Sequence, residues 1–157
     1  MRTEDVLQHI DRERAAFNAA ISHISPERLE APGAAGVWSV KDIVAHVSWA
    51  EREMIGVLQR RELVGSELWR LSQDERNAAV YAANRDRTLD DVLEEARSVF
   101  LAMRAEVAQV SDEQMNDPQL IAKAPEGFAP WQLLAGNTWK HYEEHLSDLQ
   151  ALAVTPS

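Results

Sequence analysis

Apolar residues recur with the 3.6-residue period of an α-helix in four long segments of this 157-residue chain. The segments cover roughly residues 3–24, 39–63, 88–110 and 130–152, and each carries one apolar stripe. No stretch has the alternating pattern of a convincing strand, and no internal repeat is visible. Because each helix must bury its apolar face against another, the pattern predicts an all-α four-helix bundle. The length favours one core, so a single domain is predicted over residues 1–157.

Local signals place the starts of these helices. Thr3 is the expected N-cap of the first helix, and Ser39 with Asp42 three residues later predicts a capped start for the second. Thr88 precedes the third helix, and Pro130 opens the fourth. Short helical turns are expected after residues 25 and 111, a weakly periodic helix over 72–84, and a loop over 116–130. These connections are long enough for crossovers, so several bundle topologies remain open.

Composition excludes several classes of protein. The chain has no Cys, so it has no disulfide, no thiolate metal site and no thiol nucleophile of its own. A net charge of −10 opposes the phosphate backbone, so we expect no nucleic-acid partner. No apolar run is long enough to span a membrane, and the first residues lack a secretory pattern. We therefore expect a cytoplasmic protein without a membrane partner.

Three histidines fall on apolar stripes of two separate helices. His46 lies in the stripe of the second helix, and His141 and His145 lie four residues apart on one face of the fourth. Three imidazoles facing one core would hold a divalent metal such as Zn, Ni, Fe or Cu and leave a position open. The alternative is that each is an ordinary core histidine with a hydrogen bond. Leaving three polar rings unpaired in a core is costly, and this favours the metal site.

Supporting residues are harder to assign, and the catalytic residues themselves stay unknown. Glu53 is seven residues after His46 and is a weak candidate for a general base or an orienting carboxylate. Its simpler interpretation is a charge at the edge of the stripe. Tyr142 is a second weak candidate that would line the pocket, and a core tyrosine is the equal alternative. Glu144 points away from His145 and is expected in a cap or salt bridge.

Two short motifs carry a resemblance to a known family. They are Trp38-Ser39-x-x-Asp42-x-x-x-His46 and, on the fourth helix, His141-Tyr142-x-Glu144-His145. With the four helices and long connections, they resemble the DinB-like four-helix bundle superfamily and, within it, the ClbS/DfsB branch. The resemblance implies a three-histidine site for a divalent metal, commonly zinc or nickel. By motif position its ligands here would be His46, His141 and His145.

The same resemblance implies a range of activities on small molecules. They include metal-dependent transfer of low-molecular-weight thiols, a thiol-dependent isomerisation and hydrolysis of a strained ring in a genotoxin. We therefore expect a metal-dependent hydrolase or thiol transferase that acts on a small electrophile in detoxification or stress defence. A low-molecular-weight thiol cosubstrate fits a protein that has no Cys.

Two alternatives stay open beside this enzyme hypothesis. The first is a ClbS/DfsB-like protective protein that hydrolyses or sequesters a genotoxic metabolite without a metal. The second is a non-catalytic interaction module that forms a homodimer through exposed apolar residues. The candidate dimer patch consists of Leu63, Val64, Leu68 and Trp69.

Overall fold

The computed structural model describes residues 1–154, so the last three residues of the predicted domain 1–157 lie outside the described part. The described chain contains eight α-helices: α1 (Thr3–Ser22), α2 (Pro26–Leu29), α3 (Val40–Arg60), α4 (Gln73–Asn84), α5 (Leu89–Ala108), α6 (Asp112–Met115), α7 (Pro130–Asn137) and α8 (Trp139–Val154). A 3-10 turn covers Glu67–Arg70. Within residues 1–154 there is no strand, only two isolated β-bridges. The predicted all-α architecture is confirmed.

Four long helices, α1, α3, α5 and α8, form the bundle. Helix α1 packs against α5 and α8, and α3 packs against α5, α7 and α8. Helices α1 and α3 therefore occupy diagonal corners, and the connection between them crosses one end of the bundle. Apolar stripes from all four helices meet in one core, with fully buried members such as Ile10, Ile43, Met103 and Leu149. None of the described helices is both long enough and apolar enough to cross a membrane.

The start of α3 follows the capping pattern expected from the sequence. Ser39 Oγ accepts a hydrogen bond from the Asp42 amide at 3.2 Å, and Asp42 Oδ2 accepts from the Ser39 amide at 2.9 Å. This reciprocal box satisfies two amide donors that the helix itself leaves unpaired. Because the box is buried, it also sets where the helical register begins, seven residues before His46.

Two predicted boundaries were displaced. The residue at the N-cap position of α1 is Arg2, and Thr3 is the first helical residue, where its hydroxyl donates to the Val110 carbonyl at 2.7 Å. Helix α3 ends at Arg60 instead of near Leu63, because Arg61 adopts a left-handed conformation with φ 52° and ψ 37°. That conformation stops helical hydrogen bonding after Arg60.

The fourth predicted helix is broken, which corrects the continuous helix expected over residues 130–152. At Thr138 the backbone turns to φ −129° and ψ −101°, and α7 ends there. The Thr138 hydroxyl donates to the Leu134 carbonyl at 2.7 Å, and Asn137 Nδ2 donates to the Leu133 carbonyl at 2.9 Å. Side chains thus bond to the carbonyls of the preceding turn, and Gly136 weakens the helix at the same point.

The connection between α3 and α5 (residues 61–88) and the connection between α5 and α7 (residues 109–129) are hydrogen-bonded to each other. The Leu63 amide donates to the Ala122 carbonyl and the Ala122 amide donates to the Arg61 carbonyl, both at 2.8 Å. Within the first connection α4 begins at a cap formed by Ser72 and Glu75. Helix α4 is therefore better defined than its weak periodicity predicted, and it packs along α3.

Candidate metal centre

The structure brings His46, His141 and His145 together between α3 and α8. One nitrogen from each imidazole can be chosen so that all three lie within 4.8 Å of one another. The Nε2 atoms of His141 and His145 are 3.3 Å apart. Ring centroids lie 4.8 Å apart for His46 and His141 and 5.6 Å apart for His46 and His145. The three rings therefore form one cluster, as their positions on the apolar stripes predicted.

Local structure explains this convergence. The break at Thr138 starts α8 at Trp139, two residues before His141, and the four-residue spacing then places His145 on the same face. Helix α8 packs against α3, whose buried face carries His46. His46 and His141 are 9% and 8% exposed, and His145 is half-buried at the outer end of the cluster.

Burial keeps these imidazoles neutral. It lowers the pKa of His46 to about 4, with a further contribution from His145. It lowers the pKa of His141 to about 3, reinforced by His46 and His145. Burial also lowers the pKa of His145, although Asp148 and Glu144 oppose the shift. Neutral rings have the free lone pair that a metal requires, so no proton has to be displaced near pH 7.

The cluster fits a divalent metal in its donor chemistry. Two nitrogens bound at about 2.0–2.1 Å with a tetrahedral angle lie roughly 3.4 Å apart, close to the 3.3 Å between His141 and His145. His46 Nδ1 is buried and has no hydrogen-bond partner among the described residues. An unpaired buried nitrogen is costly, and coordination or an ordered water would satisfy it. All-imidazole sets suit zinc, nickel, iron and copper without selecting one.

A cavity of about 270 Å³ opens beside the histidines. Two tryptophans flank His46, with Trp38 at 5.1 Å and Trp49 at 6.1 Å between ring centroids. Apart from Ala50 and Gly136, the other lining residues are polar and come from α4, the end of α7 and α8: Gln73, Arg76, Asn77, Asn137 and Glu144. The cavity therefore has aromatic side chains at the histidines and polar side chains in the rest of its lining.

The sequence model of the DinB superfamily matches residues 9–149, which cover most of the chain and all three histidines. The chain belongs to the DinB superfamily. Members of this superfamily often bind a metal. No curated protein matches the chain.

A solved structure shares the overall fold of this chain. The crystal structure of an uncharacterised protein from Escherichia coli UTI89 aligns with a TM-score of 0.78 over 97% of this chain and 92% of that one. The sequences are 14% identical, so the likeness concerns the fold alone.

Neither weak catalytic candidate lines the cavity of this DinB-superfamily protein. Glu53 Oε2 accepts a hydrogen bond from the Ser66 amide at 2.7 Å, and Glu53 borders a separate cavity near Arg60. Tyr142 is 1% exposed, and its hydroxyl donates to Glu51. Glu144, by contrast, lines the histidine cavity, and no described cation lies within ion-pair distance of its carboxylate.

The DinB bundle also contains a buried polar cluster that the sequence reading missed. Arg14 Nη1 on α1 donates to Glu51 Oε1 on α3 at 2.6 Å, and Arg14 Nη2 donates to the Ala96 carbonyl on α5 at 3.2 Å. Tyr142 on α8 donates to the same Glu51 oxygen. Arg14, Glu51 and Tyr142, with the Ala96 carbonyl, therefore connect all four long helices.

Burial dominates the electrostatics of this cluster. It raises the pKa of Glu51, while the Arg14 guanidinium and the Tyr142 hydroxyl act in the opposite direction. Burial and the Glu51 charge raise the pKa of Tyr142 above its ordinary value. The position of Arg14 in the sequence could have revealed this cluster. Arg14 lies four residues after Ile10 and three before Phe17, on the apolar stripe of α1. A charge at such a position indicates a buried partner.

Proposed function

We propose that this DinB-superfamily protein is a divalent-metal-dependent enzyme that acts on a small electrophilic molecule, by hydrolysis or thiol transfer, in detoxification or stress defence. The observation that carries the proposal is the cluster of three neutral imidazoles, with ligand atoms within 4.8 Å, at the wall of a 270 Å³ cavity. That volume lies just below the usual range for ligand pockets, about 300–1,000 Å³. It suits a small metabolite.

The chain's own residues would divide the work. His46, His141 and His145 would hold the metal, which when bound lowers the pKa of a water or thiol at its open position. Trp38 and Trp49 lie against the His46 ring and would exclude water from that side. Glu144 supplies the cavity's one described carboxylate, which can accept a proton. With no Cys in the chain, the nucleophile would come from water or from a thiol cosubstrate.

Metal content tests the first half of the proposal. Purified protein is incubated with Zn²⁺ or Ni²⁺, desalted and measured by inductively coupled plasma mass spectrometry. We expect about one metal per wild-type chain and almost none in the His141→Ala/His145→Ala variant. His23→Ala is the matched control, because His23 is exposed and lies outside the cluster. Near-zero occupancy in the wild type would overturn the proposal.

Activity tests the second half. Metal-loaded and chelator-treated protein are compared on strained-ring and epoxide electrophiles, with and without a low-molecular-weight thiol. Loss of turnover on chelation supports the metal enzyme, and a requirement for thiol separates transfer from hydrolysis. Turnover that survives chelation would instead support the ClbS/DfsB-like metal-independent alternative.

The dimer hypothesis draws less support from the structure. Of the predicted patch, Leu63 and Trp69 pack against the core, and Val64 is 38% exposed. The molar mass in solution, measured by light scattering, tests this hypothesis separately from catalysis.

A further inference from the structure

Arg76 lines the histidine cavity but has no carboxylate partner in the described part of the chain. Its Nε and Nη2 atoms donate to the carbonyls of Leu68 and Leu71, both at the long distance of 3.3 Å. Eight other described arginines have a carboxylate oxygen within 4.0 Å. Arg60, Arg61 and Arg97 also have no described carboxylate within that distance, but they are exposed, whereas Arg76 is half-buried at the cavity.

The guanidinium is held in place beside the metal ligands. Its Cζ atom lies 6.0 Å from the centre of the Trp49 ring, and the His46 ring lies 6.1 Å from that ring. Trp49 therefore separates Arg76 from the histidine cluster by one aromatic side chain. Two more hydrogen-bonding side chains, Gln73 and Asn77, line the cavity from the same helix as Arg76.

The net charge of the cavity determines whether it favours an anionic or a cationic ligand. Three neutral imidazoles would leave the two positive charges of a bound metal uncompensated. Arg76 adds a third positive charge, and Glu144 is the only described carboxylate in the lining that offsets it. The loaded cavity therefore favours an anionic molecule. Arg76 can grip an oxyanion while a second group reaches the metal.

We propose that the substrate or thiol cosubstrate carries a carboxylate, and that Arg76 binds this carboxylate while the reactive group lies at the three histidines. The inference rests on the proposed metal-dependent function. A carboxylate fits better than a phosphate, because the lining offers one guanidinium, no lysine and an opposing Glu144. A planar guanidinium matches two carboxylate oxygens in a bidentate pair.

Binding to Co²⁺-loaded protein tests this assignment without any turnover. Thiolate bound to Co²⁺ has a charge-transfer absorption, which reports binding directly. The matched probes are 3-mercaptopropionate and 3-mercaptopropan-1-ol, which differ only in the carboxylate. Both are titrated into the wild type, Arg76→Gln and Arg76→Lys. Arg70→Gln is the control, because Arg70 is exposed, pairs with Glu67 and does not line the cavity.

In the wild type we expect the carboxylate thiol to bind about tenfold more tightly than the alcohol. Arg76→Gln should lose this preference and leave alcohol affinity within about twofold, and Arg76→Lys should retain part of it. Arg70→Gln should match the wild type. Unchanged alcohol affinity also shows that the variant is folded and loaded with metal.

Other outcomes overturn the assignment in distinguishable ways. Equal binding of both thiols to the wild type, or a preference that survives Arg76→Gln, rejects the role of Arg76 and leaves the metal function standing. A wild type that binds no Co²⁺ rejects the metal function and this inference with it. In competition, acetate displacing the carboxylate thiol better than inorganic phosphate supports a carboxylate. The reverse order rejects it.

Discussion

Removal of the Arg14 charge should destabilise the protein more than removal of an exposed charge would, because Arg14 is buried. Arg14 is 6% exposed and Glu51 is 0% exposed, so Arg14→Met leaves a carboxylate buried without its counter-ion. Methionine keeps the length and much of the volume of the side chain. The loss of stability then reports mainly the ion pair and the hydrogen bond to the Ala96 carbonyl.

The magnitude follows from the buried geometry. Breaking a buried ion pair by removing one partner costs about 3–5 kcal/mol, a large share of the roughly 5–15 kcal/mol that stabilises a typical domain. Arg14→Met/Glu51→Met removes both charges and should cost under about 2 kcal/mol, chiefly from the Tyr142 hydroxyl that loses its acceptor. Adding Tyr142→Phe to the double variant removes the unpaired hydroxyl and should recover part of this lost free energy of unfolding.

Urea unfolding followed by circular dichroism measures these free energies, and an unchanged slope shows that the variants unfold alike. The deficit of Arg14→Met should also depend on pH. Burial raises the pKa of Glu51, and removal of Arg14 raises it further. The folded variant then holds a proton that the unfolded chain releases above its ordinary pKa. Its stability falls as pH rises through that window, so the deficit should be larger at pH 8 than at pH 5.

Two results would refute this reasoning. A cost below about 1 kcal/mol for Arg14→Met would mean that Glu51 is not held as a buried charge by Arg14. A double variant that loses as much as the sum of the single variants would mean that the two side chains do not interact.

Two further predictions concern the helices that carry the three histidines. Because the folded state holds the pKa of His46 at about 4 and of His141 at about 3, the unfolded chain takes up protons first as pH falls below about 6.5. The free energy of unfolding of the metal-free protein should therefore decrease from pH 6.5 towards pH 4, and a His46→Gln/His141→Gln variant should show a shallower dependence in urea titrations. Ser39→Ala removes the buried cap of α3 and should cost about 1 kcal/mol, or roughly 2–4 °C in Tm by calorimetry. An unchanged Tm would mean that the cap does not stabilise α3.

Local patterns were sufficient for the parts of the fold that depend on neighbouring residues. The sequence shows both the capping box of Ser39 and Asp42 and the apolar period of α3. Together they predicted the helical register that turns His46 inward. The spacing of His141 and His145 was equally local. That all three rings meet followed from the need to bury every apolar stripe in one core. Their role as ligands stays a prediction.

Contacts between elements distant in the chain could not be predicted from local patterns. The weak period of α4 gave no reason to place Arg76 against α3, because that contact depends on how the connection folds back. Arg14 stood visibly on an apolar stripe, but its partner Glu51 depends on which helices become neighbours. The break at Thr138 needed the side-chain bond to the Leu134 carbonyl, which competes with a continuous helix.

That break has a consequence for anyone who wishes to redesign this protein. Helix α7 contributes Gly136 and Asn137 to the cavity, whereas α8 carries both paired histidines. Since the helical phase restarts at Thr138, libraries that vary the inner face of α7 can reshape one wall without rotating His141 or His145 out of place. This wall of the cavity and the histidine pair can therefore be varied independently, and directed evolution can change the first while holding the second constant.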